Sequence, residues 1–179
     1  LKPNPNIECT LTRTTDVFIA LSDRAKMANN EKVDAFISIH VNSFKDTSAG
    51  TETEYTRTGE SEKLARIVQK HLVKATGFQD RGINKYNLAV TRETTMAAAL
   101  TEPGYLSNPA EELILVSPDF IPCYAEAVAR GVCEYLEIQY EAVPSHTNPV
   151  TVRIGGLDIE QPGIIIDGRS WVPAKLTLG

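Results

Sequence analysis

The sequence has 179 residues, 42% of them hydrophobic and 23% charged, with a net charge of −5 and a pI near 5.3. That length supports one domain with a real core and a small appendage. No run of 18 apolar residues offers a membrane span, and the absence of a basic cluster argues against nucleic-acid binding.

The opening stretch, LKPNPNIECTLTR, has neither a Met start nor a secretory signal pattern. The closing DGRSWVPAKLTLG stops in mid-pattern, so the chain reads as a fragment at both ends and says nothing about compartment. The three cysteines, Cys9, Cys123 and Cys133, form no CxxC pair, and an odd count argues against a disulfide framework.

Residues 8–13, ECTLTR, alternate as a short strand. Residues 17–30 predict a helix with Leu21, Ala25 and Ala28 on one face, stopped by two asparagines. AFISIH (35–40) is near-continuously apolar, as buried parallel strands are. A loop over 45–50 leads to TETEYT (51–56), whose alternation predicts an edge strand. Residues 61–75 predict an amphipathic helix with a stripe of Leu64, Ile67, Val68 and Leu72, capped by Gly77. LAVT (88–91) and AAALT (97–101) read as short strands. Asp119 is the expected N-cap of a last helix, with Pro122 in its first turn and Phe120, Tyr124, Val128, Val132 and Leu136 at helical spacing.

Strands alternating with helices predict an α/β domain over 1–140, with a mainly parallel sheet flanked by helices. EAVPSHTNP (141–149) is a linker by composition. Residues 150–179 change to β-hairpin material, with turn pairs at Gly155-Gly156 and Asp167-Gly168, too short to fold alone.

Two polar residues stand where buried strands end. His40 closes AFISIH and Glu102 closes AAALTE, and in open α/β sheets ligands bind outside the carboxyl ends of strands. A His and a Glu converging there suggest a metal with a base, or an acid–base pair. Taken bare, each has a structural alternative: a hydrogen-bonded histidine, and a cap or ion-pair glutamate. Asn42, two residues past His40, projects to the same side in extended geometry. It either touches substrate, orients His40 or makes a turn. His71 reads as half-buried packing and His146 as a solvated linker residue. A zinc site wants three protein donors, and bare spacing supplies only His40.

The order of motifs adds to this reading. LTRTTDVFIALSDRAKMAN, SIHVN, GTETEY, SEKLARIVQKHL, DRGI and LAVTRETTMAAALTEPGYLSNPAEE together resemble the zinc-dependent N-acetylmuramoyl-L-alanine amidases, the autolysin and sporulation cell-wall hydrolases of bacteria. The resemblance runs over 8–138. It implies an amidase/phosphorylase-like fold lacking its N-terminal strand and helix, with Zn2+ as cofactor, His40 as zinc ligand and Glu102 as catalytic acid/base. It also implies Arg92 near the site, although a surface ion pair explains an arginine equally well. The implied substrate is the amide between muramic acid and L-alanine in peptidoglycan, attacked by zinc-activated water. Action would then be extracellular, at the cell wall.

This sequence departs from the family pattern in four places. The D-P-G-H-G histidine and the helical glutamate that complete the family's zinc site are not in this sequence, so the chain is expected to be inactive or nearly so. Ala97 stands where the family has proline, and Pro103 follows Glu102, where it restricts the backbone. A non-catalytic wall-binding module derived from an amidase is the alternative. A metallopeptidase of similar architecture gives EPGYLSNPAEE no role. Residues 150–176, through IIIDGRSWVPAK, resemble the small β module named after the copper amine oxidase N-terminal domain, with no copper implied.

Overall fold

The computed structural model describes residues 7–141, 147–154, 157–166 and 169–171. Its contacts divide at Glu141, and the two units are taken separately. In chain order the first runs α1 (Leu21–Glu31), β1 (Ala35–Ile39), β2 (Thr51–Tyr55), α2 (Glu60–Thr76), β3 (Asp80–Lys85), α3 (Ala89–Arg92), β4 (Ala97–Glu102), α4 (Pro109–Leu115) and α5 (Phe120–Tyr135).

The strands lie in the order β1-β4-β2-β3. β1 runs parallel to β4 and β2 parallel to β3, but β2 is antiparallel to β4. The helix-flanked α/β sheet is the expected one, with this single reversal making it mixed. The reversal matters: the carboxyl ends of β1 and β4 meet the amino ends of β2 and β3 along one rim.

One face is closed by α2 and α5. Leu64, Val68 and Leu72 pack with Phe120, Tyr124 and Ala127 over Ala97, Ala99 and Tyr55. The first three are fully buried, and each such side chain contributes about 1.5–3 kcal/mol of transfer energy. A Cβ on Gly131 would lie 2.9 Å from the Val68 Cα, so the close crossing of α2 and α5 requires glycine. Buried polar groups on this face are matched. Thr53 donates to Gln69 (2.8 Å), and Gln69 donates to the Thr51 carbonyl (2.8 Å) and to Asp80 (2.6 Å). On the other face α1 and α3 bring Ala28 and Val90 against Phe36, Ala98 and Leu100. That apolar patch stops at Leu100.

Several elements differ from expectation. Residues 8–13 are irregular rather than a strand; with no ladder partner, a lone extended segment has nothing to satisfy its backbone. α1 starts at Leu21 instead of 17, continues through both asparagines and ends at Lys32 in left-handed geometry (φ 54°). TETEY is not an edge strand but lies between β4 and β3, with Thr51, Glu52, Thr53 and Tyr55 buried. Its alternation separates a face packed under α2 from one that carries Glu52 and Glu54.

LAVT does not form a strand, because α3 occupies Ala89–Arg92. The Arg57 guanidinium donates to the carbonyls of Thr91, Arg92, Thr94 and Met96, satisfying the end of that turn from a distance. The sequence reading omitted β3 and α4. The latter carries a legible start, Asn108-Pro109, whose asparagine Oδ1 accepts from the amides of Ala110 (3.0 Å) and Glu111 (3.3 Å). Asp119 precedes α5 but makes no side-chain capping bond. Gly77 caps α2 as expected, at φ 68°.

The second unit is an antiparallel meander of β5 (Thr147–Ile154), β6 (Leu157–Ile166) and β7 (Arg169–Trp171). β5 begins inside the stretch expected to be linker. The turn pairs Gly155-Gly156 and Asp167-Gly168, His146 and the segment 172–179 lie outside the described residues.

Candidate active site

The sheet alternation decides what reaches the rim. Ser38 lies opposite Leu100 and Ile39 opposite Thr101, while Glu52 lies opposite Glu102 and Glu54 opposite Leu100. Paired residues share a face, so Glu52, Glu54 and Glu102 continue the face that carries Ser38 and Leu100, past the point where α1 and α3 cover it. His40 extends β1 beside β4, its amide donating to the Thr101 carbonyl at 3.1 Å. Its Nε2 is 3.1 Å from the Ser38 hydroxyl, which keeps the ring on the same face. The two sequence candidates, His40 and Glu102, therefore stand at one rim.

Glu102 is the electrostatic centre. Its Oε2 is buried without a hydrogen-bond partner among the described residues. Burial first, then the charges of Glu54 and Glu52, push its carboxyl up to about 8. Both causes favour its protonated form. Burial and the Glu52 charge also raise Glu54. Burial, with the Arg24 guanidinium adding to it, lowers His40, which favours the neutral imidazole.

Sequence reading missed the residues that organise this rim: Glu52, Arg81, Asn84, Tyr105 and Glu111. Glu52 Oε1 accepts from Asn42 (2.7 Å) and the Tyr105 hydroxyl (2.8 Å). Its Oε2 accepts from Asn84 (2.8 Å) and pairs with Arg81 Nε at 3.4 Å. Burial and that bond to Glu52 push the Tyr105 phenol up to about 12, so it remains a donor. The Arg81 guanidinium lies 5.3 Å from the Tyr105 ring centroid. Glu111, buried, ties the loops together, accepting from the amides of Gly50 (2.7 Å) and Tyr105 (2.8 Å). Gly50, at φ 108°, has its missing Cβ only 2.6 Å from the Gln79 carbonyl. The period-two spacing of Glu52 and Glu54 was the available signal, since it puts both carboxylates on one face.

Asn42 joins the strand ends, its amide donating to the Gly104 carbonyl at 2.9 Å and its carbonyl accepting from Leu106 at 2.8 Å. Its side chain bonds Glu52 and the Ser43 amide rather than His40. Arg92 is held on the exposed surface of α3 by Asn87 (2.7 Å) and Glu93 (2.8 Å). His71 pairs with Glu134 at 2.7 Å on the α2–α5 surface, away from the rim. Among the described residues no three His, Cys, Asp or Glu side chains converge as metal donors. The donors described here do not amount to a catalytic zinc site, which needs three. Nor, among them, is any helix long and apolar enough to cross a membrane.

A family model described as N-acetylmuramoyl-L-alanine amidase matches residues 1–134. An uncharacterised cell wall amidase of Bacillus anthracis is 38% identical over 127 residues, covering 66% of this chain and 24% of that protein. The N-acetylmuramoyl-L-alanine amidase CwlM of Bacillus licheniformis is 33% identical over 141 residues, covering 76% of this chain and 54% of its own length. This chain thus spans about a quarter of the first relative's length and about half of the second's. The catalytic domain of CwlV, an N-acetylmuramoyl-L-alanine amidase from Bacillus (Paenibacillus) polymyxa var. colistinus, superposes with a TM-score of 0.73 at 46% identity, covering 76% of each chain.

Proposed function

The chain belongs to the N-acetylmuramoyl-L-alanine amidase family, and we propose that its rim is built to cleave the amide joining the muramic acid lactyl group to L-alanine in peptidoglycan. The observation that carries this is Glu102, a half-buried carboxyl whose Oε2 has no hydrogen-bond partner among the described residues and whose pKa is raised, at the same rim as His40. Protonated, it can give a proton to the departing amine. Ionised, it can take one from an attacking water. A group poised near the working pH serves both halves of such a cycle.

Among the described residues His40 is the zinc donor at this rim, and a lowered imidazole pKa suits that role. With one donor of three, the described residues hold zinc weakly and turn over little. Asn42 is a substrate contact. Arg92 is an outer cation on the same face, and R92A should change cleavage by less than about tenfold, in line with an exposed ion-paired side chain. Peptidoglycan as partner places the reaction outside the cytoplasmic membrane, at the cell wall.

The donor shortfall also favours a second reading, a wall-binding module without turnover. One experiment separates them. Purified peptidoglycan is incubated with the chain, with and without added zinc, and newly exposed L-alanine amino groups are counted beside the zinc content of the protein. Residual release that disappears in E102Q supports the amidase; release indifferent to E102Q overturns it. Binding with no release at any zinc level favours the module. A tight one-to-one zinc complex overturns the expected shortfall.

A further inference from the structure

The geometry points to Glu52 as the positioning residue of this rim, a buried carboxylate that fixes its four donors, Asn42, Tyr105, Asn84 and Arg81, as one wall beside Glu102. This deepens the amidase reading and rests on it for the identity of the ligand.

The argument is one of cost and placement. The Glu52 side chain is 6% exposed, and its cationic partner among the described residues, Arg81, sits at 3.4 Å. Burying a carboxylate is expensive even when paired, and an apolar residue of similar size is often at least as stabilising. Stability alone gives little reason for this charge. Its placement gives one. Asn42 follows β1, Tyr105 follows β4, and Asn84 and Arg81 belong to β3. The donors come from three separate segments, and all converge on a single carboxylate at the start of β2. Asn42 and Tyr105 share Oε1, so each is held by the same atom. Glu52 also lies directly across the ladder from Glu102. The wall it organises therefore stands beside the candidate acid.

The Arg81 brace is equally specific. Its Nη1 donates to the Ala49 carbonyl at 3.2 Å, its stem lies against Gly50 and its guanidinium lies over the Tyr105 ring. A planar, five-donor cation held on these sides presents its remaining edge in a fixed direction. Glu52 acts through these groups and does not itself meet substrate.

The test uses the full chain and two near-isosteric substitutions. E52Q replaces one acceptor oxygen by a donor, so two of the four bonds face a donor instead. Y105F removes one hydroxyl and leaves the packing. Asn42 Nδ2 protons are followed by nuclear magnetic resonance, and affinity is measured with N-acetylmuramoyl-L-alanyl-D-isoglutamine. In folded E52Q the Asn42 side-chain resonances are expected to move toward solvent-exposed positions, and affinity to fall about tenfold. Adding N42A to E52Q should cost little more. Y105F should shift the Asn42 resonances although the two side chains meet only through Oε1.

Unmoved Asn42 resonances in folded E52Q, or in Y105F should E52Q not fold, overturn the proposal. So do losses from E52Q and N42A that simply multiply, the outcome for a carboxylate that only supports the fold. A parent chain that fails to bind the muramoyl peptide counts against the amidase reading instead, while the resonances still decide the role of Glu52.

Discussion

The two faces of the first sheet are finished in opposite ways. Toward α2 and α5, Leu64, Val68, Leu72, Ala97 and Ala99 interlock, and every buried hydroxyl or amide described on that side has a partner. Toward the rim, past Leu100, the same strands present Glu52, Glu54 and Glu102, and Glu102 retains a buried oxygen with no partner among the described residues. One face is spent on stability. The other tolerates crowded like charge, which raises a carboxyl to about 8, and such perturbation marks sites of chemistry more often than sites of packing.

Substitutions should separate the faces. L64A removes a fully buried leucine from the helical face and should cost about 2–5 kcal/mol in urea unfolding; a loss below about 1 kcal/mol would mean that this face is not the core.

At the rim the expected sign is reversed. The Glu102 carboxyl goes from 4.5 to about 8 on folding, so the native state favours its neutral form. That preference stabilises fully below pH 4.5 and is lost as pH rises through about 8. E102Q, neutral throughout, should therefore gain stability relative to the parent across that window. Unfolding midpoints measured from pH 4 to 9 check this, and a constant difference would refute the raised carboxyl.

Y124F breaks the 2.5 Å contact with Thr101 inside the helical face and should cost about 1 kcal/mol. Thermal melts of R66A, which deletes the exposed i,i+4 pair with Glu62, should show a change of no more than about 0.5 kcal/mol. A larger effect would place unsuspected energy on the outer surface of α2.

Local pattern and long-range pairing contributed differently to what could be read in advance. The stripe of Leu64, Ile67, Val68 and Leu72, the Gly77 cap, the apolar runs of β1 and β4, and the strand-end positions of His40 and Glu102 are properties of neighbouring residues, and periodicity alone determined them. The hairpin character of the last segment was equally local. What no local rule supplied was partnership. TETEY became an interior strand because β4 and β3 flank it, LAVT became a helical turn whose end Arg57 holds at the carbonyls of Thr91 and Arg92, and ECTLTR remained irregular for want of a ladder. The same holds at the rim: the sequence put Glu102 and His40 at strand ends, but only antiparallel pairing of β2 with β4 brought Glu52 opposite Glu102. Side-chain period is encoded in adjacent residues. Which strand lies beside which is settled by the free energy of the whole sheet.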